Sequence, residues 1–152
     1  SDMIRKLCAV DLKEFLRLSA LFYPSPAVAH PLPPSYHADA FEELMRSVAY
    51  ADGYMIEADG KTVGIALTAK TYSREAGGKV LWLEELFILD GYRSRGLGRE
   101  YFAFIERYAR ENGFARIRLE VEAENVRARA LYEKLGYLPL EYRQMVKELR
   151  RS

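Results

Sequence analysis

The feature that most restricts the fold is a long apolar segment, Val80–Leu89, which leads through a short glycine-containing turn into an amphipathic segment, Arg99–Asn112. Val80–Leu89 has apolar residues on both faces, which predicts a strand buried inside a sheet. The second segment repeats Phe102, Ile105 and Ala109 at helical spacing, which predicts a helix with one buried stripe. A strand, a turn and a helix in this order indicate a sheet covered by helices.

The remaining segments predict a mixed α/β fold in one domain, residues 3–150. Tyr23–Ser35 holds five of the six prolines and is predicted to be a loop. Asp59-Gly60 favours a tight hairpin, so the sheet should be mostly antiparallel early and parallel at one junction. The other predicted strands are Met3–Ala9, Tyr54–Ala58, Thr62–Ala69 and Ala115–Ala123, with one or two closing strands in Tyr137–Leu149, and the other predicted helices follow caps at Asp11, Ser35 and Asn125.

The charge and the apolar runs exclude two classes of partner. The 152 residues include 23 basic and 22 acidic side chains, so a net charge of +1 provides no general attraction to nucleic acid or to an anionic membrane. No apolar run approaches the roughly 20 residues that a membrane-spanning helix needs. Ser1 and Asp2 are interpreted as the remnant of an expression tag, with Met3 as the natural start and no signal segment after it.

The few cysteine and histidine side chains argue against a metal site and a disulfide. Cys8 is the single cysteine; it is interpreted as a small core residue of the first strand, and it fits a reducing, cytoplasmic setting. His30 and His37 flank the proline-rich loop without ligand-like spacing to carboxylates or to Cys8, so they are interpreted as surface residues. We therefore expect no metal.

The turn after the apolar strand has the composition of an anion-binding site. Gly96 and Gly98 permit unusual backbone dihedrals and let a ligand approach the main chain, while the first turn of the following helix presents unpaired amides. These amides and the helix dipole favour phosphate, and Arg93 and Arg95 add positive charge. The Walker pattern is excluded because Gly98 precedes Arg99 and not Lys. A dinucleotide-binding turn is excluded because this turn follows the fourth predicted strand. A plain strand-to-helix connection remains the alternative.

Arg93-x-x-Gly96-x-Gly98 resembles the acyl-CoA-binding signature of the GCN5-related N-acetyltransferases (GNAT). Leu83–Leu89, Glu122–Asn125 and Ala130–Tyr137 are similar to other motifs of that family, in the family's order, and the resemblance extends over Met3–Leu149. It implies a mixed, mostly antiparallel sheet of six to seven strands flanked by about four helices. It also implies that two neighbouring parallel strands, those at Val80 and Ala115, splay apart to admit the pantetheine arm of coenzyme A.

The resemblance implies acetyl-CoA as cosubstrate and assigns residues to it. The diphosphate would lie on the amides from Ser94 to Arg99, beside the Arg93 side chain, and the pantetheine beside the strand backbone. Asp90-Gly91 replaces a proline that is common in the family after the central strand, which affects the local bend. The cosubstrate-binding residues that the resemblance implies are Leu86, Phe87, Ile88, Arg93, Ser94, Arg95, Gly96, Leu97, Gly98, Arg99 and Asn125.

Two adjacent carboxylates, Glu84 and Glu85, interrupt the apolar strand and are candidate catalytic groups. Regular alternation places them on opposite faces, so that one can face the cleft. A carboxylate whose pKa is raised by burial can accept a proton from an ammonium group. The family's diamine-type members carry an acid at the position of Glu84, which favours Glu84 as the base; a structural or substrate-binding role is the alternative.

Tyr132 is the third candidate catalytic residue, through the resemblance: the matching tyrosine lies near the CoA sulfur and can protonate the departing thiolate. Its helical spacing with Ala128 and Leu135 is also typical of a core residue. The amide near Ile88 is the expected oxyanion donor.

The sequence thus predicts an N-acetyltransferase that moves the acetyl group of acetyl-CoA to a primary amine by direct attack. A small cationic amine or diamine is the favoured acceptor. A peptide N-terminus, a lysine side chain and an amine-bearing antibiotic are alternatives, as is a non-catalytic CoA-binding interaction module. Members of the family often form dimers, so a homodimer is compatible with the resemblance.

Overall fold

The computed structural model describes residues 3–23 and 32–150 and contains five strands in one mixed sheet. Their spatial order follows the chain, β1 to β5; neighbours from β1 to β4 are antiparallel, and β4 and β5 are parallel. This confirms the mixed fold with one parallel junction, although six to seven strands were expected. The strands are β1 (Met3–Lys6), β2 (Ala51–Ala58), β3 (Lys61–Ser73), β4 (Gly78–Ile88) and β5 (Arg116–Leu119).

The four α-helices in the described residues are α1 (Leu12–Phe22), α2 (Pro34–Arg46), α3 (Leu97–Glu111) and α4 (Val126–Lys134), which confirms the expected number. Alternate residues of β2 separate the two faces of the sheet. Met55 packs in a cluster with Phe15 of α1 and Phe41 of α2, whereas Ile56 packs with Leu97 of α3. Helices α1 and α2 therefore cover one face, and α3 covers the other.

Three local expectations are wrong. Cys8 is exposed and follows β1, because the strand ends at Lys6. Asp11 does not cap α1 with its side chain; its carboxylate accepts hydrogen bonds from the Arg5 guanidinium at 2.9 Å and from the Cys8 N–H at 2.8 Å. Ser35 lies inside α2, which begins at Pro34, because proline is well suited to the first helical position. Residues 24–31 of the predicted loop, including His30, lie outside the described residues.

The hairpin and the end of α3 lie where the sequence predicts them. Asp59 and Gly60 both have positive φ, 54° and 74°, and join β2 to β3 as expected. Phe102, Ile105 and Ala109 form the buried stripe of α3. Gly113, just beyond α3, has φ 74°.

Residues from Val121 onward form a second compact unit, separate from the unit that ends at Glu120. The Asn125 side chain caps α4 by accepting a hydrogen bond from the Ala128 N–H at 3.1 Å, as expected. Tyr137–Leu149 contains neither helix nor strand, so the predicted closing strands are wrong. Pro139 lacks the N–H that a strand ladder needs, and the adjacent apolar residues Met145 and Val146 break the period of two.

Candidate active site

The site forms where β4 and β5 separate. The two strands pair from Val80–Arg116 to Leu83–Leu119 and no further. Beyond that point the described part of the chain places no strand against the β5-facing edge of residues 84–88, although the other edge still pairs with β3. We call this open edge of β4 the splay; it lies where the resemblance implied that the two strands diverge. Residues 120–123, predicted to extend β5, do not belong to it, because β5 ends at Leu119.

The backbone N–H and C=O groups of two β4 residues, Leu86 and Ile88, point into the splay. Leu89 N–H donates to the Val63 carbonyl at 2.8 Å, so in this antiparallel pair Ile88 and Leu86 occupy non-hydrogen-bonded positions relative to β3. Their N–H and C=O groups therefore point away from β3. Phe87 has the opposite orientation: its backbone groups face β3, and its side chain is 5% exposed in the core. An amide-bearing arm could pair here as an added strand, through Leu86 and Ile88.

A β-bulge lies at the start of the splay. Leu67 pairs with Glu85 and Thr68 pairs with Leu83, so Glu84 is the extra residue on β4. A bulge interrupts the regular alternation of side chains. The placement of Glu84 and Glu85 on opposite faces therefore stays a prediction, and the charge of Glu84 raises the pKa of Glu85.

The pKa of Glu84 is raised above its ordinary value. The main cause is the loss of solvent around its carboxyl group, and the second is the negative charge of Glu120 just beyond β5. Glu84 is nevertheless solvent-exposed. A carboxylate that is partly desolvated and lies near a second negative charge is suited to accept a proton.

Glu85 is held by a residue that the sequence did not single out, Tyr23 at the end of α1. The Tyr23 hydroxyl donates a hydrogen bond to Glu85 Oε2. Burial raises the pKa of Glu85, the Tyr23 hydrogen bond opposes that rise, and the charge of Glu84 adds to it. The Tyr23 ring contacts His37 with centroids 5.3 Å apart, so His37 is half-buried and not simply a surface residue.

The turn before α3 presents backbone amides as expected. Ser94 and Gly96 both have positive φ, 63° and 84°. Within the described residues, the N–H groups of Gly96, Leu97 and Gly98 have no hydrogen-bond partner, and a Cβ at either glycine would meet open space. Successive amides of this kind at a helix N-terminus bind anions. The turn therefore fits the diphosphate of coenzyme A.

The two arginines of the turn are already paired. Arg93 forms an ion pair with Asp90 and donates from Nε to the Ile88 carbonyl at 2.8 Å, which ties the turn to β4. Arg95 lies 3.2 Å from Asp59 in the β2–β3 hairpin. Because these ion pairs are solvent-exposed and therefore weak, both side chains can exchange an aspartate for a phosphate.

Tyr132 lies in α4 and Asn125 caps that helix, both in the second unit. Burial raises the pKa of Tyr132, which keeps its phenol protonated and able to act as an acid. Its ring lies 6.3 Å from that of Tyr137. The roles of both residues toward acetyl-CoA stay predictions. In residues 3–23 and 32–150, no group of three His, Cys, Asp or Glu side chains is arranged to hold a metal, and no helix has the length and apolar character to cross a membrane.

A splayed parallel strand pair beside an amide-lined turn defines a site for an extended, phosphate-bearing cosubstrate. The sequence matches the Acetyltransferase (GNAT) family over residues 12–137. The chain therefore belongs to this family of acetyltransferases, as its motifs had indicated.

Individual relatives agree with that assignment. The chain is 31% identical over 81 residues to the uncharacterized N-acetyltransferase YhfO of Bacillus subtilis, a match that covers 53% of this chain and 54% of YhfO. The chain thus spans about half the length of that relative. It is 29% identical over 105 residues to aminoglycoside N(6')-acetyltransferase type 1 of Stenotrophomonas maltophilia, covering 65% of this chain and 69% of the relative.

A solved structure with the same fold is that of AAC(6')-Iy in complex with the bisubstrate analog CoA-S-monomethyl-acetylneamine. It aligns with a TM-score of 0.81 at 20% identity and covers 97% of this chain and 98% of that one. The alignment confirms the GNAT fold of the chain.

Proposed function

We propose that this protein transfers the acetyl group of acetyl-CoA to a primary amine of a small polycationic molecule. The observation that carries the proposal is the conjunction, on one strand–turn–helix segment, of an anion-binding turn, a splayed strand edge and two adjacent carboxylates with raised pKa values. The turn and the strand edge suit the cosubstrate, and the carboxylates suit a cationic acceptor.

The chain's own groups account for each step of a direct transfer. The neutral amine attacks the thioester carbonyl, so that a C–N bond forms and the C–S bond breaks. Glu84 takes the amine proton, directly or through water. The Ile88 N–H, which points into the splay, stabilises the oxyanion. Tyr132 donates its proton to the departing thiolate. No covalent intermediate on the enzyme is required.

Negative charge favours a polycation as acceptor. The charge of Glu120 acts on Glu84 and that of Glu84 acts on Glu85, and within the described residues none of the three forms an ion pair with a lysine or an arginine. Aminoglycosides and diamines both carry several ammonium groups that would supply the missing counter-charge. The names of the relatives support aminoglycosides as the first members of this class to test.

Calorimetry with acetyl-CoA and a turnover screen against aminoglycosides, diamines and peptides test this proposal. Binding of acetyl-CoA at micromolar concentration and preferred acetylation of a polycation are expected. Turnover of peptides alone would favour a protein acetyltransferase, and binding without any turnover would favour an interaction module; either result contradicts the proposal.

The Glu84→Gln variant tests the base. Since a general base contributes about 10²–10⁴-fold, kcat should fall by at least about 10²-fold near pH 7. The deficit should shrink at high pH, where the amine is neutral without assistance. An unchanged kcat at pH 7 would remove Glu84 from the mechanism.

A further inference from the structure

The two neighbouring glutamates of β4 have different surroundings. Glu85 accepts a hydrogen bond from Tyr23, whereas no hydrogen bond or ion pair within the described residues involves the Glu84 carboxylate. We propose that Tyr23 is a positioning residue that fixes Glu85 as the carboxylate binding the acceptor's ammonium group, and so leaves Glu84 to accept the proton. This inference rests on the proposed function and assigns different roles to Glu84 and Glu85.

Tyr23 is held in place by its own packing. Its N–H donates to the Ser19 carbonyl at 3.1 Å, which closes the end of α1. Its ring lies edge-on to Phe22, with centroids 4.9 Å apart, and against His37 of α2. Phe22 in turn contacts Phe87 of β4 at 5.2 Å. This packing between two helices and β4 fixes the position from which the Tyr23 hydroxyl donates its hydrogen bond.

The hydrogen bond has a definite polarity. Burial and then the Glu85 interaction raise the pKa of Tyr23, so its hydroxyl stays protonated and acts as donor. One oxygen of Glu85 is thereby occupied, and the other remains for an ammonium group. The bond favours the charged form of Glu85 and so opposes the rise in its pKa that burial causes.

Among the described groups around Glu85, Tyr23 is the partner that stabilises the charged form of its carboxyl group. From β4 itself, Glu84 repels it, and from β3 the residue opposite is the apolar Leu67. The end of α1 contributes Tyr23, and α2 contributes His37, which contacts the Tyr23 ring. Glu120, beyond β5, acts on Glu84. Removal of the Tyr23 hydroxyl therefore changes the pKa of Glu85 more than that of Glu84.

The test is Tyr23→Phe, which removes the hydroxyl and keeps the ring. The KM for the amine should rise about tenfold, the size expected for one hydrogen bond to a charged group. Both kcat and the KM for acetyl-CoA should stay within about twofold, in contrast to the fall in kcat of Glu84→Gln. The Glu85 carboxyl carbon, followed by NMR against pH, should titrate at a higher pKa in the variant. Tyr72→Phe, at a tyrosine that is 72% exposed, is the matched control and should change none of these values.

Three results would overturn the inference: an unchanged KM for the amine, a fall in kcat as large as that of Glu84→Gln, or an unchanged Glu85 pKa. If the unaltered protein acetylates no amine, the proposed function fails while the NMR titration still decides whether Tyr23 controls Glu85. A raised Glu85 pKa in Tyr23→Phe then supports the positioning role, and an unchanged pKa refutes it.

Discussion

Gly96→Ala separates the backbone contribution of the turn from its side chains. Gly96 has φ 84° and ψ 3°, a left-handed conformation, and an added Cβ would meet no atom within 4 Å. The cost is therefore conformational and not steric, about 1–2 kcal/mol for an L-residue in this region. For a domain of this size, that corresponds to a fall in Tm of roughly 2–8 °C. Relaxation of the strain would also turn the amides of the turn away from their common centre.

The matched control is Gly98→Ala, two residues later. Gly98 also has open space at its Cβ position but has no positive φ and lies in the first turn of α3, so alanine should stabilise the protein by about 0.4–1 kcal/mol. Thermal denaturation should show opposite shifts for the two variants. Calorimetry should show acetyl-CoA binding weakened about tenfold or more in Gly96→Ala, the loss of at least one charge-assisted hydrogen bond, and by less than about threefold in Gly113→Ala, where alanine replaces a glycine with φ 74° beyond the other end of α3. Equal affinities in Gly96→Ala and Gly113→Ala would refute the view that the Gly96 conformation forms the phosphate site.

Two further predictions concern proton transfer and charge. Tyr132→Phe should retain acetyl-CoA binding and lose turnover, because the phenol would no longer protonate the thiolate; an unchanged kcat would exclude that role. Glu84→Gln and Glu85→Gln should stabilise the fold near pH 7 relative to the unaltered protein. Burial raises the folded-state pKa of both carboxyl groups, so each contributes stability that is fully present below its unfolded-state pKa and is lost as pH rises through its folded-state pKa. Urea unfolding at pH 4 and pH 7.5 measures this, and an equal difference from the unaltered protein at both pH values would contradict it.

The sequence was most informative where local patterns determine structure. The alternating and helical periods placed β2 to β4 and α3 within a few residues, and Asp59-Gly60 marked the hairpin. The glycines of the anion-binding turn were recognisable because a left-handed residue before a helix requires one. The cap at Asn125 was likewise a local signal, since its partner lies three residues away.

The parts that could not be predicted depend on residues distant in the chain. Tyr23 and Glu85 are 62 residues apart, and no spacing rule connects the end of a helix to a strand so far along. The bulge depends on the register between β3 and β4, in which one extra residue leaves the apolar pattern of each strand nearly intact. The same limit applies to Cys8, whose exposure follows from the early end of β1.

The bulge at Glu84 connects the fold to the chemistry. The last pair between β4 and β5 is Leu83–Leu119, and the extra residue of β4 follows immediately. A bulge bends its strand and increases the local twist, so the bend of β4 falls at the point beyond which the Leu86 and Ile88 backbone has no partner in β5. The same extra residue carries the carboxylate proposed as base. One insertion in the ladder therefore places the proposed base at the first residue beyond the β4–β5 pairing.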